Sequence, residues 1–145
     1  MAGPAEVLLA FDYGARRIGV AVGQTTTGTA NPAGTVRVAT APDWVALEQL
    51  VRRWSPTRLV VGLPYNMDGS ATVLTGVCRA FARELARRFG LPVDFVDERL
   101  TTVAAQADLR EARRSGARTR RVRREDVDAN AARLILETWL REHGT

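Results

Sequence analysis

The sequence has no lysine: all 21 of its Lys/Arg positions are arginine. It holds a single cysteine, Cys78, and a single histidine, His143. A lone cysteine excludes an intrachain disulfide and fits a reducing compartment. Cys78 falls on the apolar side of an expected helix, where it reads as an inert core thiol. One histidine in the tail argues against a His-rich zinc site and against catalysis by a His–Ser or His–Cys couple. No apolar run approaches the roughly 20 residues that a membrane helix needs, and residues 1–6 carry no signal-peptide pattern. The expectation is a cytoplasmic protein without a membrane partner. Its 145 residues suit one domain, 1–145, able to bury roughly two thirds of its unfolded surface.

The charge is unevenly spread. Seven of the 21 arginines crowd into residues 113–124, which contain no acid, leaving 14 arginines against 16 acids elsewhere. The net charge of +5 therefore originates in one short stretch. Blocks of this kind are usually solvated, and they bind polyanions such as nucleic acid. Val122 is the one large apolar residue among residues 113–124, so this segment is expected to be mobile without a ligand.

The pattern that organises the rest begins at Val7. Five apolar residues, Val7 to Phe11, run into Asp12; a turn containing Gly14 follows, and a second apolar run starts at Ile18. Short continuous apolar runs read as strands buried on both faces, here joined as a hairpin over residues 7–12 and 17–23. Residues 25–32 read as a turn and 33–39 as a third strand. Pro42 opens a helix to Trp54 with Trp44, Leu47, Val51 and Trp54 on one side. Residues 58–62 form a short buried strand. A helix over 70–89 carries Leu74, Cys78, Phe81, Leu85 and Phe89 on one stripe and stops at Gly90. Residues 93–97 form a fifth strand, 101–112 a helix, and 126–142 a last helix with Ala132, Ile135 and Trp139 along its buried side. This order predicts an α/β domain with a five-stranded mixed sheet, the first three strands antiparallel and the last two parallel, flanked by helices. The C-terminal ends of the first, fourth and fifth strands then share one edge, where such sheets hold their ligands.

That edge gathers acids. Asp12 ends the first strand and Asp97-Glu98 end the fifth. Counting back from Trp139, Ile135 and Ala132 by helical steps reaches Asp128, which puts it on the stripe facing the sheet. Taken alone, Asp12 could simply cap its turn, and Asp128 could simply favour the helix dipole by under ~1 kcal/mol. Dipole stabilisation would serve Glu125 or Asp126 equally well and does not explain an acid facing the sheet. Converging carboxylates repel one another, and a hard divalent cation, Mg2+ or Mn2+, removes the repulsion with oxygen ligands alone. Two such ions would clamp a phosphodiester for hydrolysis, and the arginine segment would grip the polyanion.

The ordered motifs carry a resemblance. Leu9-Ala10-Phe11-Asp12-Tyr13-Gly14, Ile18-Gly19-Val20-Ala21-Val22, Val60-Val61-Gly62-Leu63-Pro64 with Asn66-Met67-Asp68-Gly69, Asp97-Glu98-Arg99-Leu100-Thr101-Thr102, and Val127-Asp128-Ala129 with Ile135-Leu136-Glu137 resemble the YqgF family, also called RuvX. These are bacterial proteins with an RNase H-like fold, described as nucleases of pre-16S rRNA or as Holliday-junction resolvases. The resemblance implies Asp12, Glu98 and Asp128 as catalytic, metal-binding carboxylates. Successive strand residues face opposite ways, so one of Asp97 and Glu98 faces the metals, and the family pattern favours Glu98. The nucleic-acid contacts expected around them are Arg16, Arg17, Asn66 and Arg99, with Arg120, Arg121, Arg123 and Arg124 from the arginine segment. Arg16 stands where many members have lysine, Tyr65 replaces a usual leucine, and Glu125-Asp126 replace a lysine common before the last aspartate.

The leading expectation is a two-metal-ion nuclease processing the 5′ end of pre-16S rRNA in ribosome biogenesis, as a monomer or homodimer. Cleavage of branched DNA is the alternative within the same chemistry. A nucleotide-binding kinase or actin-like ATPase shares the strand–Asp–Gly turn but closes two such domains over its nucleotide. A non-catalytic RNA-binding assembly protein would gain nothing from acids opposed to phosphate.

Overall fold

A computed structural model describes residues 5–100 and 124–143. The expected helix 101–112 and the arginine segment up to residue 123 lie outside the described residues. Strand β1 (Val7–Tyr13) pairs antiparallel with β2 (Arg17–Gln24), and β2 pairs antiparallel with β3 (Thr29–Arg37). On its other side β1 pairs parallel with β4 (Arg58–Leu63), which pairs parallel with β5 (Val93–Asp97). The five-stranded sheet runs β3-β2-β1-β4-β5, the mixed arrangement expected from the sequence. Helices α1 (Trp44–Trp54), α2 (Val73–Phe89) and α3 (Arg124–His143) cover it.

Period-2 alternation sorts the strands' side chains between two layers. Leu9, Phe11, Val20, Leu59 and Val61 pack with Leu47 of α1 and with Cys78, Phe81 and Leu85 of α2. Leu8, Ala10, Ala21, Val60 and Val96 point the other way, onto Ala132, Ile135, Leu136 and Trp139 of α3. Covered on both faces, β1 is apolar from Leu8 to Phe11 without interruption, and all four residues are fully buried. The expected stripe of α3 is the one that is buried.

Three details differ from the sequence reading. The third strand begins at Thr29 rather than Ala33, so Asn31 and Pro32 are strand residues facing Val22 and Ala21. Proline cannot donate to a ladder, but β3 is an edge strand and the register shifts beside Pro32, between Val20 and Ala21. Helix α2 begins at Val73, not Ser70, because Thr72 and Thr75 form a capping box there. Leu74, placed on the buried stripe by its spacing, is 38% exposed, and Thr75 is buried in its stead. The Thr75 hydroxyl donates to the Pro64 carbonyl, which ties the start of α2 to the exit of β4. For α1 the cap is Asp43, accepting from Ala46 N at 3.1 Å, one residue after the expected start.

Candidate functional site

A row of residues on the α3 side of the sheet builds the site. Asp12 lies opposite Gly19 of β2. One step beyond the last ladder pair of β1 and β4, Phe11 with Val61, it lies level with Gly62, and Gly62 lies opposite Val96 of β5. Asp12 is thus flanked on both neighbouring strands by a residue without a side chain. A Cβ at Gly19 would stand 1.9 Å from the Asp128 carbonyl oxygen, and a Cβ at Gly62 would stand 2.7 Å from Glu98 Oε1. Neither space can be filled without displacing α3 or Glu98. The glycines admit the two other acids to the neighbourhood of Asp12, a function that the sequence reading missed. The available signal was a glycine inside a strand pattern, which marks close approach by backbone or ligand.

Glu98 follows the last residue of β5 and shares the face of Val96, whereas Asp97 points away. The Asp97 carboxylate is held by its neighbour, accepting from Arg99 N at 2.9 Å, from Arg99 Nε at 3.0 and 3.1 Å and from Arg99 Nη2 at 2.5 Å. Arg99 holds the Asp97 carboxyl below its ordinary range. The two neighbours on the site side behave in the opposite way. Burial, then a hydrogen bond shared with Asp12, then repulsion from Asp12 and Asp97 push Glu98 up to about 8. Burial also raises Asp12, against the lowering effect of the Glu98 hydrogen bond, and repulsion from Asp128 adds to the rise. Without a cation the Asp12–Glu98 pair therefore retains one proton near neutral pH, as two close carboxylates in a dry place must. Asp128 lies in the early turns of α3, its side chain 28% exposed, and its Oδ2 accepts from Arg17 Nε at 2.9 Å.

The described residues thus bring Asp12, Glu98 and Asp128 to one end of the sheet. Arg17 joins them there, on the face of Gly19. Arg99 lies nearby, bound to Asp97, with its guanidinium 5.7 Å from the Tyr65 ring and its Nη1 donating to the Met67 carbonyl at 3.4 Å. Asn66 belongs to the same loop, donating from Nδ2 to Ser70 Oγ at 2.9 Å. Arg16 is exposed in the β1–β2 turn. The positions of Arg120, Arg121 and Arg123, and the side chain of Arg124, lie outside the described residues. Cys78 is buried, and burial with the nearby Glu98 and Asp12 charges pushes its thiol up to about 12, which leaves it inert.

The donor chemistry fits a hard divalent cation: carboxylate oxygens only, in a place where charge is poorly solvated and protons are retained. The glycine cradle fits as well, since a methyl at either position would push a carboxylate-bearing element away. Among the described residues no three of His, Cys, Asp and Glu are gathered tightly enough to enclose an ion. The acids divide into the hydrogen-bonded pair Asp12–Glu98 and the arginine-bound Asp128.

The family model for "RuvX: Holliday junction resolvase" matches residues 6–142. Proteins named "Putative pre-16S rRNA nuclease" are similar at 48% identity. That of Pseudomonas paraeruginosa aligns over 97% of this chain and 95% of its own, and that of Coxiella burnetii over 94% and 93%. Among solved structures, Thermus thermophilus RuvC in complex with a Holliday junction substrate superposes with a TM-score of 0.59 at 16% identity, covering 94% of this chain and 95% of that one. The yeast mitochondrial Holliday junction resolvase Ydc2 gives 0.52 at 12% identity, covering 92% and 77%. At these identities the structures speak for the fold, which is the RNase H-like fold of the RuvC resolvases. Among the described residues no helix is long and apolar enough to cross a membrane. A family match over nearly the whole chain, joined to relatives at 48% identity that align over 95% of their own length, establishes that the chain belongs to the RuvX family.

Proposed function

We propose that this chain is a metal-dependent nuclease that hydrolyses phosphodiester bonds with two divalent cations, Mg2+ or Mn2+, held by Asp12, Glu98 and Asp128. The observation that carries the reading is the setting of the half-buried Asp12 between two glycines whose missing side chains admit Glu98 and Asp128. A carboxylate serving only as a turn cap needs no such cradle. When bound, such ions lower the pKa of water and stabilise the leaving oxygen. Asp12 sits centrally between the other two acids, and Glu98 gives up the proton that the pair otherwise keeps. Arg17 reaches Asp128 from the start of β2, and Arg16 of the β1–β2 turn, Asn66 of the β4–α2 loop and Arg99 after β5 are the further groups assigned to the phosphate backbone in this reading. The arginines of residues 113–124, leading directly into the helix that carries Asp128, supply the wider grip.

The substrate best supported is precursor 16S rRNA, after the names of the relatives at 48% identity, with processing at its 5′ end as the expected step. Branched DNA is the second reading, favoured by the family description and by the RuvC neighbour seen with a junction. Labelled precursor rRNA and a four-way DNA junction, incubated at matched salt with Mg2+, Mn2+ or chelator, separate them. The expected result is metal-dependent cleavage of the RNA, lost in Asp12→Asn. Cleavage that survives chelation, or full activity in Asp12→Asn, would contradict the proposal. Replacing Arg120, Arg121, Arg123 and Arg124 by alanine is expected to weaken binding alike for unrelated sequences and to flatten its salt dependence; an unchanged salt slope would place the grip elsewhere.

A further inference from the structure

The run Asn66-Met67-Asp68-Gly69 forms a tight turn in which three of the four residues have a local task. Gly69 N donates to the Asn66 carbonyl at 2.9 Å, and Asn66 N donates to the Ser70 carbonyl at 2.9 Å. Asn66 Nδ2 donates to Ser70 Oγ, and Asp68 Oδ1 accepts from Ser70 N at 2.9 Å and from Ser70 Oγ at 2.6 Å. Gly69 takes the φ of +89° that closes the turn. Met67 is different. Its side chain is 90% exposed at the tip, while its carbonyl accepts from Arg99 Nη1 at 3.4 Å. That bond fixes the place of the tip, because Arg99 directly follows Glu98. The loop itself leaves β4 just after Gly62, whose missing side chain makes room for Glu98. A polar framework thus holds one apolar side chain out in water beside the carboxylates.

We propose that Met67 is a substrate contact whose thioether packs on the face of one unpaired nucleobase in the strand that lies across the acids, so that this position selects unpaired over paired RNA. This rests on the nuclease reading above for where the strand lies. Methionine is unbranched and polarisable, and its sulfur makes favourable contacts with aromatic rings. Apolar side chains of this size wedge against bases in nucleic-acid complexes, and RNA offers its base faces where it is single-stranded. The residues on either side of the tip, Asn66, Asp68, Gly69 and Ser70, are exposed and polar. Such a setting suits one flat apolar group, whereas a protein interface needs a broad apolar core.

The test measures binding of a labelled single-stranded RNA by wild type, Met67→Ser and Met67→Leu, by fluorescence anisotropy in Ca2+, which takes oxygen ligands as Mg2+ does. Met67→Ser is expected to bind about three- to ten-fold more weakly, the scale of one sulfur–aromatic contact, and Met67→Leu should keep most of the affinity. The salt dependence should not change, because no phosphate contact is lost. On the fully paired duplex of the same sequence, Met67→Ser should match wild type. Copies of the strand with one abasic nucleotide at successive positions locate the partner: one position should weaken wild type and cost Met67→Ser nothing further. Both variants should melt like wild type, since the side chain stands in water. Wild-type affinity in Met67→Ser overturns the inference and leaves the tip to a protein partner. An equal loss on strand and duplex overturns it too, as does an abasic scan in which every position adds to the substitution. RNA binding with the expected Met67 pattern but without metal-dependent cleavage would count against the nuclease reading alone, and wild type that binds no RNA would overturn both.

Discussion

The two faces of the sheet use the same strands for different ends. Toward α1 and α2 the strands present Phe11, Ile18, Val20, Leu59, Val61 and Leu63, and the Phe11 and Phe81 rings meet edge to face at 5.8 Å. Toward α3 they present smaller residues, Ala10, Ala21, Gly19 and Gly62, and the acids Asp12 and Asp94. The first face is filled, and its contribution is burial of apolar area. On the second, α3 comes close enough for its backbone at Asp128 to touch the strand at Gly19. That closeness gives up packing volume and leaves room for carboxylates. Phe11 and Asp12, adjacent in sequence, stand on opposite sides of this division.

Substituting these two neighbours should therefore separate stability from chemistry. Phe11→Ala is expected to destabilise the fold by about 3–5 kcal/mol by opening a cavity in the filled face. Asp12→Asn should leave the fold intact or slightly stabilised while activity falls on the order of 10³-fold, the loss of several kcal/mol of cation-mediated stabilisation. Denaturant melts and single-turnover cleavage on both variants test the pair; an Asp12→Asn variant that unfolds readily would erase the distinction. Gly19→Ala is the next largest effect. Its methyl would collide with backbone that cannot rotate away, so a loss of about 1–3 kcal/mol or more is expected, with weakened Mn2+ binding as α3 retreats. The same change at Gly28, where nothing stands near a Cβ but φ is +65°, should cost less and leave Mn2+ affinity alone.

The smallest effect is in the pH dependence of the metal-free protein. Glu98 is held at about 8 against an ordinary value of 4.5, so the folded state binds a proton that the unfolded chain releases. Its contribution is fully present below about pH 4.5 and is lost as pH rises through about 8. Metal-free melting temperatures should decline from pH 5 to 8.5, and Asp12→Asn should flatten that decline by removing the partner. Melts with a slope unchanged in the variant would show that the pair is not the source. On the other face, Cys78→Ala should leave the slope as it is, because the thiol stays protonated throughout.

How much of this was legible in the sequence follows the same division. The filled face was read almost completely, because continuous apolar runs and helical stripes are local signals. The errors there came from competing local chemistry, the Thr72–Thr75 box that delayed α2 and the edge position that tolerated Pro32. Asp12, Asp97-Glu98 and Asp128 could be placed at one edge from strand order and helical counting alone. The Arg17–Asp128 pair could not, since it spans 111 residues and depends on how closely α3 approaches. The glycines flanking Asp12 were visible as letters, but their purpose needed the register of three strands.

The central claim is that Asp12, Glu98 and Asp128 act as one cation site. Thermal melts of wild type and Asp128→Asn, each with and without saturating Mn2+, test it most directly. Wild type should gain stability by mass action, about 2.7 kcal/mol at a hundred times the dissociation constant for one ion, and Asp128→Asn should gain much less. Equal gains in the two proteins would remove Asp128 from the site and contradict the account.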